Sequence, residues 1–155
     1  FKLNDIYEVR DQKVKYAKAV LTGASKQAAI EAAELEKDAT LYRCHFEFPA
    51  SLSLYINDKQ IDAIKDGMTY NSLQVQYESL VDMVPSLTEE EKKQIYAWYK
   101  EAREFSMDAE NSDKKHAAFN KYKGRINNYL TKRGYDLVKE RNEWYKRLKA
   151  AGKKI

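Results

Sequence analysis

The stretch KKHAAFNKYKGRINNYLTKRGY, residues 114–135, decides the fold because its apolar residues recur at helical spacing. At about 100° per residue, one narrow apolar stripe contains Phe119, Tyr122, Ile126, Tyr129 and Leu130. A stripe of this width predicts an amphipathic helix with one buried side. Gly134 follows the stripe and is expected to end the helix, since glycine adopts the left-handed conformation at little cost.

Two polar stripes flank this apolar stripe. The first contains His116, Asn120, Lys123 and Asn127, and the second contains Lys121, Arg125, Asn128 and Lys132. No acidic residue lies between Lys114 and Tyr135, whereas an ordinary surface helix mixes Glu with Lys. Amides, cations and a histidine supply hydrogen-bond donors that suit carboxylates, phosphates or sugar hydroxyls. The stretch therefore predicts a binding surface as well as a helix.

The rest of the chain has the composition of an all-α protein. Its 155 residues include only five glycines and two prolines, and apolar residues recur at spacings of 3, 4 and 7. We expect a single antiparallel helical bundle of about five to seven helices, in one domain over residues 1–155. No run approaches the roughly 20 apolar residues of a membrane span, so no transmembrane segment is predicted. The lone Cys44 cannot form an internal disulfide.

Several local signals predict where helices begin and end. Thr88 and Glu91 have the spacing of a capping box, which predicts a helix start. Pro49 is expected to kink or split a long second helix near Phe48, and Gly67 is expected to cap a short third helix. After the capping box, a predicted core seam contains Ile95, Trp98, Ala102, Phe105 and Ala109.

The charge is unevenly distributed. Residues 1–110 contain 14 Lys or Arg against 20 Asp or Glu, whereas residues 111–155 contain 14 against 4. Such asymmetry indicates either an anionic partner at the C-terminal end or two parts that pack together and neutralise each other. No helix-turn-helix or other named nucleic-acid module is evident, and we expect no nucleic-acid partner.

Signals for common catalytic and metal sites are missing from the sequence. His45 and His116 are the only histidines, too few for a zinc site without other ligands, and Cys44 next to His45 is a poor dyad on a helix. There is no phosphate-binding glycine loop and no G-x-S-x-G motif. We therefore predict no metal and no cofactor, and the sequence leaves catalysis open.

Five segments give the chain a resemblance to a known family. They read DGMTYNSL (66–73), PSLTEEEKKQI (85–95), AREFSMDAE (102–110), KHAAFNKYKGRINNYL (115–130) and GYDLVKERNEW (134–144). The chain resembles domain of unknown function 3826, a family of exported helical proteins of Bacteroidetes-type bacteria. The resemblance implies a periplasmic or secreted location, with a signal peptide and a further helix upstream, and a setting of plant-polysaccharide breakdown. A chain that starts at Phe1 rather than Met fits such processing. The resemblance implies no activity.

Our leading hypothesis is a non-catalytic protein that binds an acidic, uronate-containing oligosaccharide. Arg125 is the expected carboxylate partner, because its guanidinium can bind in a bidentate way. The candidate ligand-binding residues are His116, Asn120, Lys123, Arg125, Asn127, Asn128, Asp66, Tyr70 and Arg103. Two alternatives stay open: a lyase or hydrolase on an acidic sugar, with Tyr70 or His116 as the base of a lyase, and a chaperone-like or structural interaction module. The sequence does not determine the oligomeric state.

Overall fold

The computed structural model describes residues 2–155, and the side chains from Leu3 onward. Over this range the chain forms seven helices and no strand, which confirms the all-α prediction. The helices are α1 (Lys2–Val20), α2 (Gly23–Leu52), α3 (Asp58–Met68), α4 (Ser72–Met83), α5 (Glu89–Met107), α6 (Ser112–Lys132) and α7 (Leu137–Ala150). Within these residues, none of the seven helices has the length and apolar character required to cross a membrane.

The chain divides into two compact units, one ending at Asp62 and the other starting at Ala63. The prediction of a single domain therefore stays a prediction. In the first unit α1 packs against α2. The small side chains of Ala17 and Ala33 are buried there, which lets the two helices approach closely.

Pro49 does not split α2. The helix continues past Pro49 to Leu52, and the Pro49 carbonyl still accepts a hydrogen bond from the amide of Ser53. A proline removes only one donor, and Pro49 lies within the last turn of the helix, so few backbone bonds depend on it.

The second unit has its own apolar core, built around α5 and α6. α5 packs against both α4 and α6, and α7 contacts α4 and α6. The predicted apolar stripe of α6 is confirmed, because four of its five residues are buried and Tyr129 is partly buried. The core contains Leu73, Leu80, Val84, Leu87, Ile95, Tyr99, Ala102, Phe119, Tyr122, Ile126 and Leu130.

Phe105 departs from the predicted seam of α5. Ile95 and Ala102 are fully buried as expected, but the side chain of Phe105 is 65% exposed. The spacing alone places Phe105 near the edge of the apolar side, and the neighbouring helix does not cover that edge. The prediction of Phe105 as a core residue is wrong.

The start of α5 is tied to the turn that follows α6. The capping box is confirmed, since Thr88 accepts from the amide of Glu91 and the Glu91 carboxylate accepts from the amide of Thr88. The same carboxylate, 3% exposed, also accepts from Arg133 at 2.5 Å and from the Tyr135 hydroxyl at 2.6 Å. Burial by itself raises the pKa of Glu91, but the hydrogen bonds from Tyr135, Thr88 and Arg133 outweigh burial and lower the pKa to about 2.

Gly134 ends α6 as predicted. Its φ is +95°, and the amides of Gly134 and Tyr135 donate to the carbonyls of Thr131 and Leu130. These two bonds form a Schellman motif, which satisfies the last carbonyls of the helix. The motif turns the chain so that Arg133 and Tyr135 both reach Glu91.

Candidate functional site

All nine predicted site residues lie in the second unit, but they do not form one site. Their side chains fall into three groups: residues at the turn between α3 and α4, an exposed stripe along α6, and Arg125 with its neighbours. We call them the turn site (Asp66, Tyr70, Arg103, His116), the polar stripe (His116, Asn120, Lys123, Asn127) and the Arg125 cluster (Glu101, Phe105, Tyr122, Arg125). Asn128, the ninth residue, is exposed on α6 outside these groups.

A buried ion pair holds the turn site in place. Arg103 on α5 is 4% exposed, and its Nη1 donates to Asp66 Oδ1 of α3 at 2.9 Å. The adjacent residues on the same two helices also pair, since Lys65 Nζ lies 2.7 Å from Glu104 Oε1. Because Arg103 is buried and already pairs with a carboxylate, it positions the turn and is not exposed to a ligand.

The connection between α3 and α4 has an unusual backbone. Tyr70 and Asn71 adopt consecutive left-handed conformations, with φ of +57° and +56°. Gly67 is instead an ordinary helical residue, and α3 ends at Met68, so the prediction of Gly67 as the cap is wrong. A left-handed conformation costs roughly 1–2 kcal/mol for most residues other than glycine, less for Asn. Strain of this kind persists where surrounding contacts impose it, and it is concentrated at functional sites.

Helix α6 supplies further contacts that hold this turn. Lys115 Nζ donates to the carbonyl of Met68 at 2.9 Å, and the buried Ser106 donates to the carbonyl of Lys115. The rings of Tyr70 and His116 stack with centroids 5.3 Å apart and planes 21° apart. Tyr70 remains 55% exposed and His116 is exposed as well. The result is an accessible pair of aromatic rings on a fixed backbone.

The polar stripe begins at this pair and runs along α6. Asn120 and Lys123 are exposed and Asn127 is half-buried. Within residues 3–155, the ammonium group of Lys123 and the side-chain amides of Asn120 and Asn127 take part in no hydrogen bond or ion pair with the protein. Their donors are therefore available to a ligand, and ligand binding by the stripe stays a prediction.

Arg125 lies apart from the turn site. Nine residues separate it from His116, which places the two on roughly opposite sides of α6. Arg125 packs over the Tyr122 ring, 4.7 Å from its centroid, and its Nη1 lies 3.7 Å from Glu101 Oε2. Burial and the hydrogen bond to Glu101 raise the pKa of Tyr122, which keeps its proton. That Arg125 binds the carboxylate of a ligand stays a prediction. A ligand carboxylate would have to compete with the Glu101 carboxylate for Arg125.

Sequence reasoning missed the residues that complete these groups. Lys115, Ser106 and Glu101 come from polar positions with no distinguishing spacing, so only their contacts across helices identify them. Over residues 3–155 no three of the His, Cys, Asp and Glu side chains lie close enough together to hold a metal ion. The chemistry that the described groups offer is hydrogen bonding, binding of anionic groups and ring stacking.

Together, the seven helices and these surfaces define an all-α protein with a donor-rich helix next to a strained, exposed turn. Residues 1–150 match the model of the family described as protein of unknown function (DUF3826), and the chain belongs to this family. No curated protein matches the chain.

Proposed function

We propose that this protein binds an acidic oligosaccharide, a uronate-containing fragment of a plant polysaccharide, at the turn site and along the polar stripe. Its setting would be the periplasm or the outside of a Bacteroidetes-type bacterium, in a glycan-utilisation pathway. The family resemblance given above supports this setting. The stacked Tyr70–His116 pair at a backbone held by Arg103 and Lys115 carries the proposal.

In this proposal each part of the site has its own role. The Tyr70 ring presents an aromatic face to the C–H side of a sugar ring, and its hydroxyl donates to or accepts from sugar hydroxyls. Farther along α6, the Lys123 ammonium attracts the uronate carboxylate, while the amides of Asn120 and Asn127 bond hydroxyl groups. The buried Asp66–Arg103 pair keeps Tyr70 in position and does not contact the ligand.

Titration with oligogalacturonates, at low and at high salt, tests the proposal. We expect binding that weakens with salt, because exposed charges are screened. Lys123→Gln should weaken binding about fivefold, which corresponds to one exposed charged contact. Lys121→Gln is the matched control, since Lys121 lies two residues away and therefore about 200° around the same helix. If Lys123→Gln and Lys121→Gln change the affinity equally, the uronate does not bind along the polar stripe. If no uronate binds the original chain, the proposed function is refuted.

A lyase acting on the same acidic sugar is the second candidate, favoured by the adjacent Tyr70 and His116 side chains. A lyase removes the proton next to the uronate carboxylate, and an exposed tyrosine or histidine can accept that proton. Turnover would produce an unsaturated sugar that absorbs ultraviolet light. If Tyr70 is the base, Tyr70→Phe should then abolish turnover but only weaken binding, because the ring still stacks on the sugar. Binding without any turnover across the uronates would leave the non-catalytic role.

A further inference from the structure

The exposed ring of Phe105 belongs to the Arg125 cluster, whose Arg125 lies on the opposite side of α6 from His116. Phe105 lies against the Tyr122 ring, with centroids 6.3 Å apart and planes 29° apart. Single exposed apolar residues are common on protein surfaces and need no explanation. Here the exposed ring is combined with a carboxylate and a guanidinium, so a stacking surface and polar hydrogen-bonding groups occur together, as they do in ligand sites.

The polar groups next to Phe105 have unused hydrogen-bonding capacity. Glu101 precedes Phe105 by four residues, so both lie on the same side of α5. The contacts of Glu101 with Tyr122 and Arg125 both use its Oε2, and within residues 3–155 its Oε1 has no partner in the protein. The ion pair of Arg125 uses Nη1, while its Nε and Nη2 still carry donors. One acceptor and several donors are therefore presented side by side, and both side chains are about half exposed.

The balance of charge in the Arg125 cluster indicates an uncharged ligand. Arg125 and Glu101 neutralise each other locally, and a ligand carboxylate would meet the like charge of Glu101. Neighbouring hydroxyls on a sugar ring each donate and accept, which matches the acceptor Glu101 Oε1 and the remaining donors of Arg125. The weakly positive C–H face of a pyranose packs on the negative face of an aromatic ring such as that of Phe105.

We propose that the Arg125 cluster is a binding site for the pyranose ring of a neutral oligosaccharide. Phe105 stacks on the ring, while Arg125 and Glu101 bond two adjacent hydroxyls. The site differs from the turn site in position and in the charge of its ligand. It goes beyond the proposed function, since a neutral sugar can bind here whether or not a uronate binds at Tyr70.

Isothermal titration and saturation-transfer NMR with cellohexaose, xylohexaose and mannohexaose test this site. Phe105→Leu keeps an apolar side chain but removes the aromatic face, and it should weaken binding about tenfold. Phe105→Trp, with a larger face, should bind more tightly than the original protein. Both variants should fold normally because Phe105 is 65% exposed, and circular dichroism checks this.

Substitutions at the two sites separate the two proposals. Tyr70→Ala and Lys123→Gln should leave neutral-sugar binding unchanged, and Phe105→Leu should leave uronate binding unchanged. If none of the three hexasaccharides binds, or if Phe105→Leu binds them as tightly as the original chain, the Arg125 cluster is not a sugar site. If the original chain binds a neutral hexasaccharide but no uronate, that result counts only against the proposed function.

Discussion

Replacing Glu91 by glutamine tests how the start of α5 is fixed to the turn after α6. The Glu91 carboxylate receives hydrogen bonds from Thr88, Arg133 and Tyr135 while it is almost completely buried. Glutamine has nearly the same size but no charge and only one acceptor oxygen. At least one of the three donors therefore loses its partner in Glu91→Gln, and Arg133 loses its counter-charge.

The lowered pKa of Glu91 sets the scale of the effect. A fall in the pKa from 4.5 to about 2 means that the ionised carboxylate contributes at most about 3 kcal/mol to the free energy of unfolding. Solvent screens the interaction because the Arg133 side chain is 41% exposed, so we expect Glu91→Gln to cost about 2 kcal/mol at neutral pH. The pKa is lower in the folded state, so the carboxylate stabilises the fold above the unfolded pKa. This contribution is lost as the pH falls from about 5 to about 2.

Urea unfolding at a series of pH values measures this difference. The gap in unfolding free energy between the original chain and Glu91→Gln should be constant above about pH 5 and should close near pH 2. Glu90→Gln is the matched control, because Glu90 lies in the same first turn of α5 but is exposed. A gap that does not change with pH, or one no larger than that of Glu90→Gln, would refute the account of the network.

Two further substitutions test the backbone of the second unit. Gly124→Ala should raise the free energy of unfolding by about 0.5–1 kcal/mol, because Gly124 lies inside α6 and an added Cβ would meet nothing within 4 Å. A lower denaturation midpoint for this variant would show an unrecognised close contact. Asn71→Ala should lower the free energy of unfolding by about 1 kcal/mol, while Asn71→Gly should not, because alanine tolerates the positive φ of Asn71 less well than asparagine or glycine. Equal unfolding midpoints for the two variants would argue against strain at this turn.

Features that depend on neighbouring residues could be predicted from the sequence. The capping box at Thr88 and the helix end at Gly134 are set by hydrogen bonds between residues at most five positions apart. The apolar stripe of α6 follows from the helical period, and its burial follows from the hydrophobic effect. The same period separates the polar stripe from Arg125 on α6, although the sequence hypothesis combined them in one site.

The sequence by itself therefore determined the all-α class, the buried side of α6 and the donors along its exposed side. Only the tertiary structure decided which of those donors remain available. Arg103 meets Asp66 across 37 positions of the chain, and Tyr122 meets Glu101 across 21. It also decided that Phe105 is exposed and that Tyr70, not Gly67, adopts the left-handed conformation. The physical reason is that helical periodicity fixes the direction of a side chain, whereas its partner depends on how separate helices pack.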